Sequence, residues 1–494
     1  MQRKIPIFYS ALLLTGVNLL LRLVGTSFQV YLSGRIGAAG IGLLQLVMSV
    51  GSMAMVAGIG GIRTATMYLT AEELGRKHPQ HISHILKCCF GYSLLFSCTV
   101  GCILHVAAPW LAANWIGDIR SLPALRLIAR FLPITCLCGV MTGYFTAANR
   151  ILTLAAVEVA EQLCAMVLTM TLLILWAGND PGRACFCVVL GSALGSVFTI
   201  ICLMILRLRE VKYPKVKIPV LRRLTQTALP LALADDLKTG ISTTENLMVP
   251  KRLALHTGTA SPLAAFGMIS GMVFPIIMFP AAILFGLAEL LIPELARCNA
   301  AGSKGRIHYL VQRSLRIAMI YGLVFSGILF LVAQPLCAAL YGNGDAAVFL
   351  QLYALLIPML YCDTITDAMA KGLGQQKICV RYNILTALLD VIGLYLLLPR
   401  YGMTGYFISF FITHLINFML SLRLLLRITN QIIAPADPML GLASMIFGVW
   451  VCSHAVNPIV QAGAYLIILV CCLFLCKILR KEDILWLKGL ICKT

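Results

Sequence analysis

A shift of 225 residues lays the first half of the chain on the second. Pro133 then falls on Pro358, Gly42 on Gly267, and ISHILK from Ile82 on IHYLVQ from Ile307. Without a gap, FLPITCLCGVMTGYFTAANRILTLAAVEVAEQL follows onto LIPMLYCDTITDAMAKGLGQQKICVRYNILTALLD. Few residues are identical, so hydropathy and proline register carry the repeat. Each copy holds six apolar segments, which predicts two copies of one helical bundle, the usual build of a membrane transporter. Between the copies lies RLREVKYPKVKIPVLRR, Arg207 to Arg223, with seven positive charges, one acid, and Pro214 and Pro219 to bar a continuous helix. It reads as a linker.

Apolar residues make up 60% of the chain and charged residues 12%, with a mean hydropathy of +0.92, far from soluble composition. Runs of about 20 apolar residues recur along it, each long enough to span a bilayer. Fourteen spans are expected, the first at 7–32, the second at 41–69, the fifth at 151–176, the seventh at 225–250 and the eighth at 262–293. The fold class is therefore an all-α polytopic membrane protein, with two six-helix lobes around a central site and two extra C-terminal helices. The expected divisions are an N-lobe over 1–206, a basic linker over 207–223, a C-lobe over 224–427, and a terminal pair with a tail over 428–494.

The net charge of +20 invites a nucleic-acid reading, but its distribution argues otherwise. Of 39 Lys and Arg, 28 fall in the N-terminus, the even-numbered loops and the C-terminus, 8 in the odd-numbered loops and their flanks, and 3 (Arg22, Arg63 and Lys238) inside spans. Such alternation is the positive-inside pattern, placing both termini in the cytoplasm and supporting an even number of spans. No loop exceeds about 17 residues, which leaves no room for a soluble catalytic domain. With no Walker-type phosphate loop either, the chain reads as a non-enzyme driven by an ion gradient, the membrane potential or the substrate's own gradient. The nineteen cysteines sit mostly within apolar runs and lack zinc spacing, so no cofactor or metal is expected.

Against this background the chain resembles the multidrug/oligosaccharidyl-lipid/polysaccharide (MOP) exporter superfamily. Within it the resemblance is to the polysaccharide-transport branch that contains the stage V sporulation protein B group and the MurJ and Wzx lipid flippases. LLRLVGTSFQVYLSGRIGAAGIGLLQL in spans one and two carries the resemblance, as do GIRTATMYLTAEELGRK, MAKGLGQQK and LLPRYGMTGYFISFFITHLIN. It covers essentially the whole chain. It implies lobes that open to one side of the membrane at a time, a groove at the last two helices for a lipid tail, and a polyprenyl-pyrophosphate-linked sugar as cargo.

Ionisable groups inside spans cost roughly 2.5–3.5 kcal/mol to insert and so mark candidate sites. Arg22 lies near the middle of span one, flanked by leucines; its guanidinium suits bidentate contact with a pyrophosphate or an ion pair between helices. Arg63 in span two is either a site residue or an interfacial anchor. Span seven is the most polar: Asp235, Asp236, Lys238 and Glu245 fall within eleven residues, with Lys238, Ser242 and Glu245 on one face. Lys238 and Glu245 join the arginines as substrate-binding candidates. Asp235, Asp236, Glu158 and Glu161 are candidates for a coupling cation, or for a self-neutralising packing network. Asp363 and Asp367, four apart, pose the same alternatives. Three functions stay open: a flippase of an anionic lipid-linked oligosaccharide, a cation-coupled exporter of small cationic drugs, and a non-transporting scaffold for cell-wall synthesis. Partners are membrane lipids and the cargo rather than nucleic acid, and the duplication makes a monomer sufficient.

Overall fold

The structure, a computed structural model, describes residues 7–76, 78–148, 150–178, 180–209, 220–258, 261–342, 344–431, 436–454, 457–476 and 478. Their regular structure is helical: α1 Ile7–Ile59, α2 Ile62–Gly75, α3 Ile82–Trp110, α4 Leu122–Ala147, α5 Ile151–Leu172, α6 Pro181–Leu208, α7 Leu221–Leu253, α8 Pro262–Gly267, α9 Phe274–Ala300, α10 Lys304–Tyr341, α11 Asp345–Ala354, α12 Ile357–Gly372, α13 Gln376–Thr429, α14 Ala436–Cys452 and α15 Pro458–Leu475. Short π-helical turns prolong α3 and α5 and join α8 to α9. Nine described helical stretches are long and apolar enough to cross a membrane, and α11 with α12 forms a further one bent by 53°. Two long rods hide extra spans. α1 is broken at Gly37 (φ 70, ψ 174) and α13 at Gly402 (φ 56, ψ −135). Divided there, and counting the polar α7 and the shorter α14, the helices match the fourteen expected segments. The chain is an all-α polytopic membrane protein.

Two compact units emerge, one of Met1–Gly271 with Val391–Met403 and one of Met272–Asp390 with Thr404–Thr494. They do not divide at the basic stretch, of which residues 210–219 lie outside those described. α7 and α8 belong to the first unit, and their contacts explain why. Thr243 Oγ1 donates to the Ser49 carbonyl at 3.1 Å and Asn246 Nδ2 to Ser49 Oγ at 3.0 Å. Val220, Leu224 and Ala228 join one buried core with Ile62, Leu69, Ile85, Met141 and Phe145. Finally α8 crosses α1 at the repeat-related glycines. A methyl added at Gly267 would stand 2.7 Å from the Gly42 nitrogen and 3.0 Å from its Cα, so only glycine lets the two backbones meet.

In the second unit one side of the terminal helix pair is packed against its neighbours. α14 and α15 pack on α10 around Leu323, Met445, Tyr465, Leu469 and Leu473. Tyr465 is fully buried and its hydroxyl donates to the Leu323 carbonyl at 2.7 Å. An aromatic ring with a satisfied polar tip pins one side of the pair to the unit.

Candidate functional site

In the first unit the site begins where span two breaks. Gly60 and Gly61 take left-handed φ of 50° and 68°, ending α1 at Ile59 and restarting the chain as α2 at Ile62. Only glycine adopts two such angles in succession without strain. The break sets Arg63 on the first turn of α2, exposed. Its backbone lies against Gly139 and Gly143 of α4. Across from it, Glu158 feels two charges, Arg63 and Glu161. Glu158 and Glu161 are half-buried on α5, three residues apart. Glu161 accepts a 2.6 Å hydrogen bond from Thr199 Oγ1 of α6.

Arg22 is half-buried on α1. One residue earlier, the Leu21 carbonyl accepts from Gln162 Nε2 of α5 at 3.2 Å, fastening α1 to the helix that carries both glutamates. Arg22, Arg63, Glu158 and Glu161 are thus brought to one set of packed helices. The α7 candidates form a second group. Asp235 and Lys238 are exposed, while Asp236 and Glu245 are half-buried. Ser242, on the same helical face as Lys238 and Glu245, is exposed too. Thr243, Leu247 and Val249 are buried instead, because Thr243 and Asn246 reach Ser49 of α1. Asp236 keeps a buried Oδ1 without a hydrogen-bond partner.

The second unit holds a polar network of which the sequence reading caught only the acids. Asp390 is 7% exposed and accepts from Ser409 Oγ at 2.6 Å and Thr413 Oγ1 at 3.2 Å. Asn417 donates to Asp363 Oδ2 at 3.1 Å and accepts from Thr386 Oγ1 at 3.4 Å. Asp367 pairs with Lys371 at 2.6 Å. The Oδ1 atoms of Asp363 and Asp367 are buried without a hydrogen-bond partner. A signal was present: Ser409, Thr413, Asn417 and Ser421 recur every four residues, a polar stripe on one helix face, and all four are buried.

At the ends of α2 and α9 the acids meet basic neighbours. Glu73, almost fully buried, takes His81 Nδ1 at 2.8 Å with Arg76 and Arg223 nearby, and Glu72 takes Arg223 at 2.5 Å and Arg76 at 2.7 Å. Glu294 takes Arg306 at 2.7 Å. Among the described residues no three His, Cys, Asp or Glu side chains gather as a metal site.

Comparison with known proteins agrees with this architecture. The MatE family model matches residues 15–176 and 247–396, one stretch from each half. Stage V sporulation protein B of Bacillus subtilis (strain 168) is 23% identical over 407 residues, 80% of this chain and 78% of that one. Among solved structures, the lipid II flippase MurJ in an inward closed conformation shares the fold with a TM-score of 0.68 at 13% identity, covering 93% of this chain and 98% of that one. An inward-facing multidrug resistance MATE family transporter of the MOP superfamily gives 0.66 at 14% identity, over 88% and 99%. With its family model covering well over half the chain, this protein belongs to the MatE family and is a multi-pass membrane protein.

Proposed function

We propose that the protein is an alternating-access flippase that moves an anionic polyprenyl-pyrophosphate-linked sugar across the bacterial cytoplasmic membrane, with both termini in the cytoplasm. The observation that carries this reading is Arg22, half-buried in a leucine-rich stretch of α1 on the helix pair that also holds Glu158 and Glu161. A guanidinium cannot shed its charge there, and it offers the planar fork that a diphosphate accepts. Arg63, freed by the glycine break, adds a second cation in the same unit. The likeness to stage V sporulation protein B and to a lipid II flippase supports a lipid-linked cargo over a small cation. Asp235, Asp236, Lys238 and Glu245 would contact the cargo headgroup or a coupling ion from α7.

A second element concerns energy. Asp363 and Asp367 each leave a buried carboxylate oxygen unpartnered, a costly state that a proton or monovalent cation relieves. Asp236 does the same in the first unit. Coupling to a cation gradient is therefore the reading we favour.

The test is transbilayer movement of a labelled polyprenyl-pyrophosphate sugar in vesicles, native chain against Arg22→Ala. Movement lost in a well-folded Arg22→Ala supports the assignment. Equal movement makes Arg22 a packing residue. If the native chain moves none, while small cations are transported, the cargo is a cation.

A further inference from the structure

Some basic helix ends are neutralised: Arg223 is held by Glu72, Arg306 by Glu294 and Arg120 by Asp118. The end of α13 is not. Arg423 and Arg427 stand one turn apart, both exposed, and neither has an acidic partner among the described residues. They edge a groove of about 650 Å³ whose apolar lining includes Met419, Leu422 and Leu426. Gln431 lines the same groove. It is only 8% exposed, and both its amide oxygen and its amide nitrogen are buried without a hydrogen-bond partner. The turn that places it is well made: Asn430 takes a left-handed φ of 51°, and the Gln431 N–H donates to the Leu426 carbonyl at 3.1 Å.

We propose that this groove is a binding site for an anionic glycerophospholipid, a phosphodiester carrying a free hydroxyl in its headgroup, as in phosphatidylglycerol. Three features select that chemistry. Two unpaired guanidiniums a turn apart suit one phosphate. Gln431 has an unused donor and an unused acceptor, so its partner must offer both, a phosphate oxygen and a hydroxyl. The third feature is depth. Counted from the break at Gly402, Arg423 lies about 30 Å along the helix, close to one hydrocarbon thickness, so the arginines stand at headgroup level and the apolar residues beneath them at acyl level. A soluble anion would leave that apolar lining idle. The site lies in the second unit and uses none of the residues assigned to the cargo.

Native mass spectrometry of the full-length protein, delipidated and then offered phosphatidylglycerol, phosphatidic acid or phosphatidylcholine, tests this. Native protein retains phosphatidylglycerol over phosphatidylcholine. Arg423→Gln with Arg427→Gln lowers that retention by about fivefold for each arginine, roughly twenty-five-fold together. The paired Lys replacements keep most of it, showing that charge and not misfolding is at issue. Gln431→Leu removes the preference for phosphatidylglycerol over phosphatidic acid, which lacks the hydroxyl. The proposal is overturned if the double Gln variant retains phosphatidylglycerol normally, if Arg297→Gln with Arg306→Gln costs as much, or if millimolar glycerol phosphate strips the lipid.

Discussion

The crossing of α1 and α8 yields a measurable cost. In Gly267→Ala the new methyl would lie 2.7 Å from the Gly42 nitrogen and 3.0 Å from its Cα, with the Ala38 carbonyl oxygen nearer still. Carbon atoms rest at about 3.5–4.0 Å, so the helices must part by roughly 1 Å. Each opposing atom is backbone, and no rotamer change can relieve the contact. Overpacking of this kind costs about 1–3 kcal/mol, and the upper end applies. Gly240→Ala on α7 is the control, since nothing lies within 4 Å of its added methyl. That change gains at most about 1 kcal/mol of helix propensity. The two variants should thus differ by about 3 kcal/mol, which for a unit of this size is roughly 5–10 °C in the detergent melting temperature. Gly42→Ala should match Gly267→Ala, and the double variant should cost less than their sum, because one displacement relieves both clashes. If Gly267→Ala melts within a degree or two of Gly240→Ala, the crossing does not depend on glycine.

Tyr465→Ala should destabilise the protein by about 3–5 kcal/mol and loosen α14 and α15 to protease, whereas Tyr465→Phe, losing only the bond to Leu323, should cost about 1 kcal/mol. Glu73→Ala removes the carboxylate shared by His81, Arg76 and Arg223, and a loss of about 3 kcal/mol in melting experiments is expected, with Glu72→Ala milder because it is more exposed. Asp118 lies between two spans, where side-chain hydrogen bonds from Arg120 hold its carboxyl below the usual range. A depressed folded pKa stabilises above the unfolded value of about 3.9 and is lost as pH falls through the folded one, so Asp118→Asn should flatten the acid limb of a stability-versus-pH curve, slightly and less in high salt.

Hydropathy and charge alternation made the fourteen segments legible, because membrane thickness and the positive-inside bias act on composition alone. The pairing of Gly42 with Gly267 was visible as repeat register; that the two would touch was not, since register says nothing of contact. The face by which α7 holds α1 was not legible for a related reason. Two bonds bring Thr243 and Asn246 to Ser49, a tertiary choice that periodicity does not encode. The glycines beside Arg63 permit either a bend or a close helix contact, and their spacing does not announce which. The stripe from Ser409 to Ser421 shows the opposite failure. Its four-residue period was in the sequence, yet small hydroxyls in apolar runs attract less notice than charges.

The division of the compact units changes what a fragment of this protein can be. The polypeptide leaves the first unit after Gly271, returns for Val391–Met403 and leaves again, so it passes between units three times. Severing it in the basic stretch would give two polypeptides, the first without α7 and α8 and the second carrying parts of both units. Neither is an autonomous half. Complementation from co-expressed pieces should therefore depend on both being present in the membrane together, and the first unit is complete only after residue 403 has been synthesised.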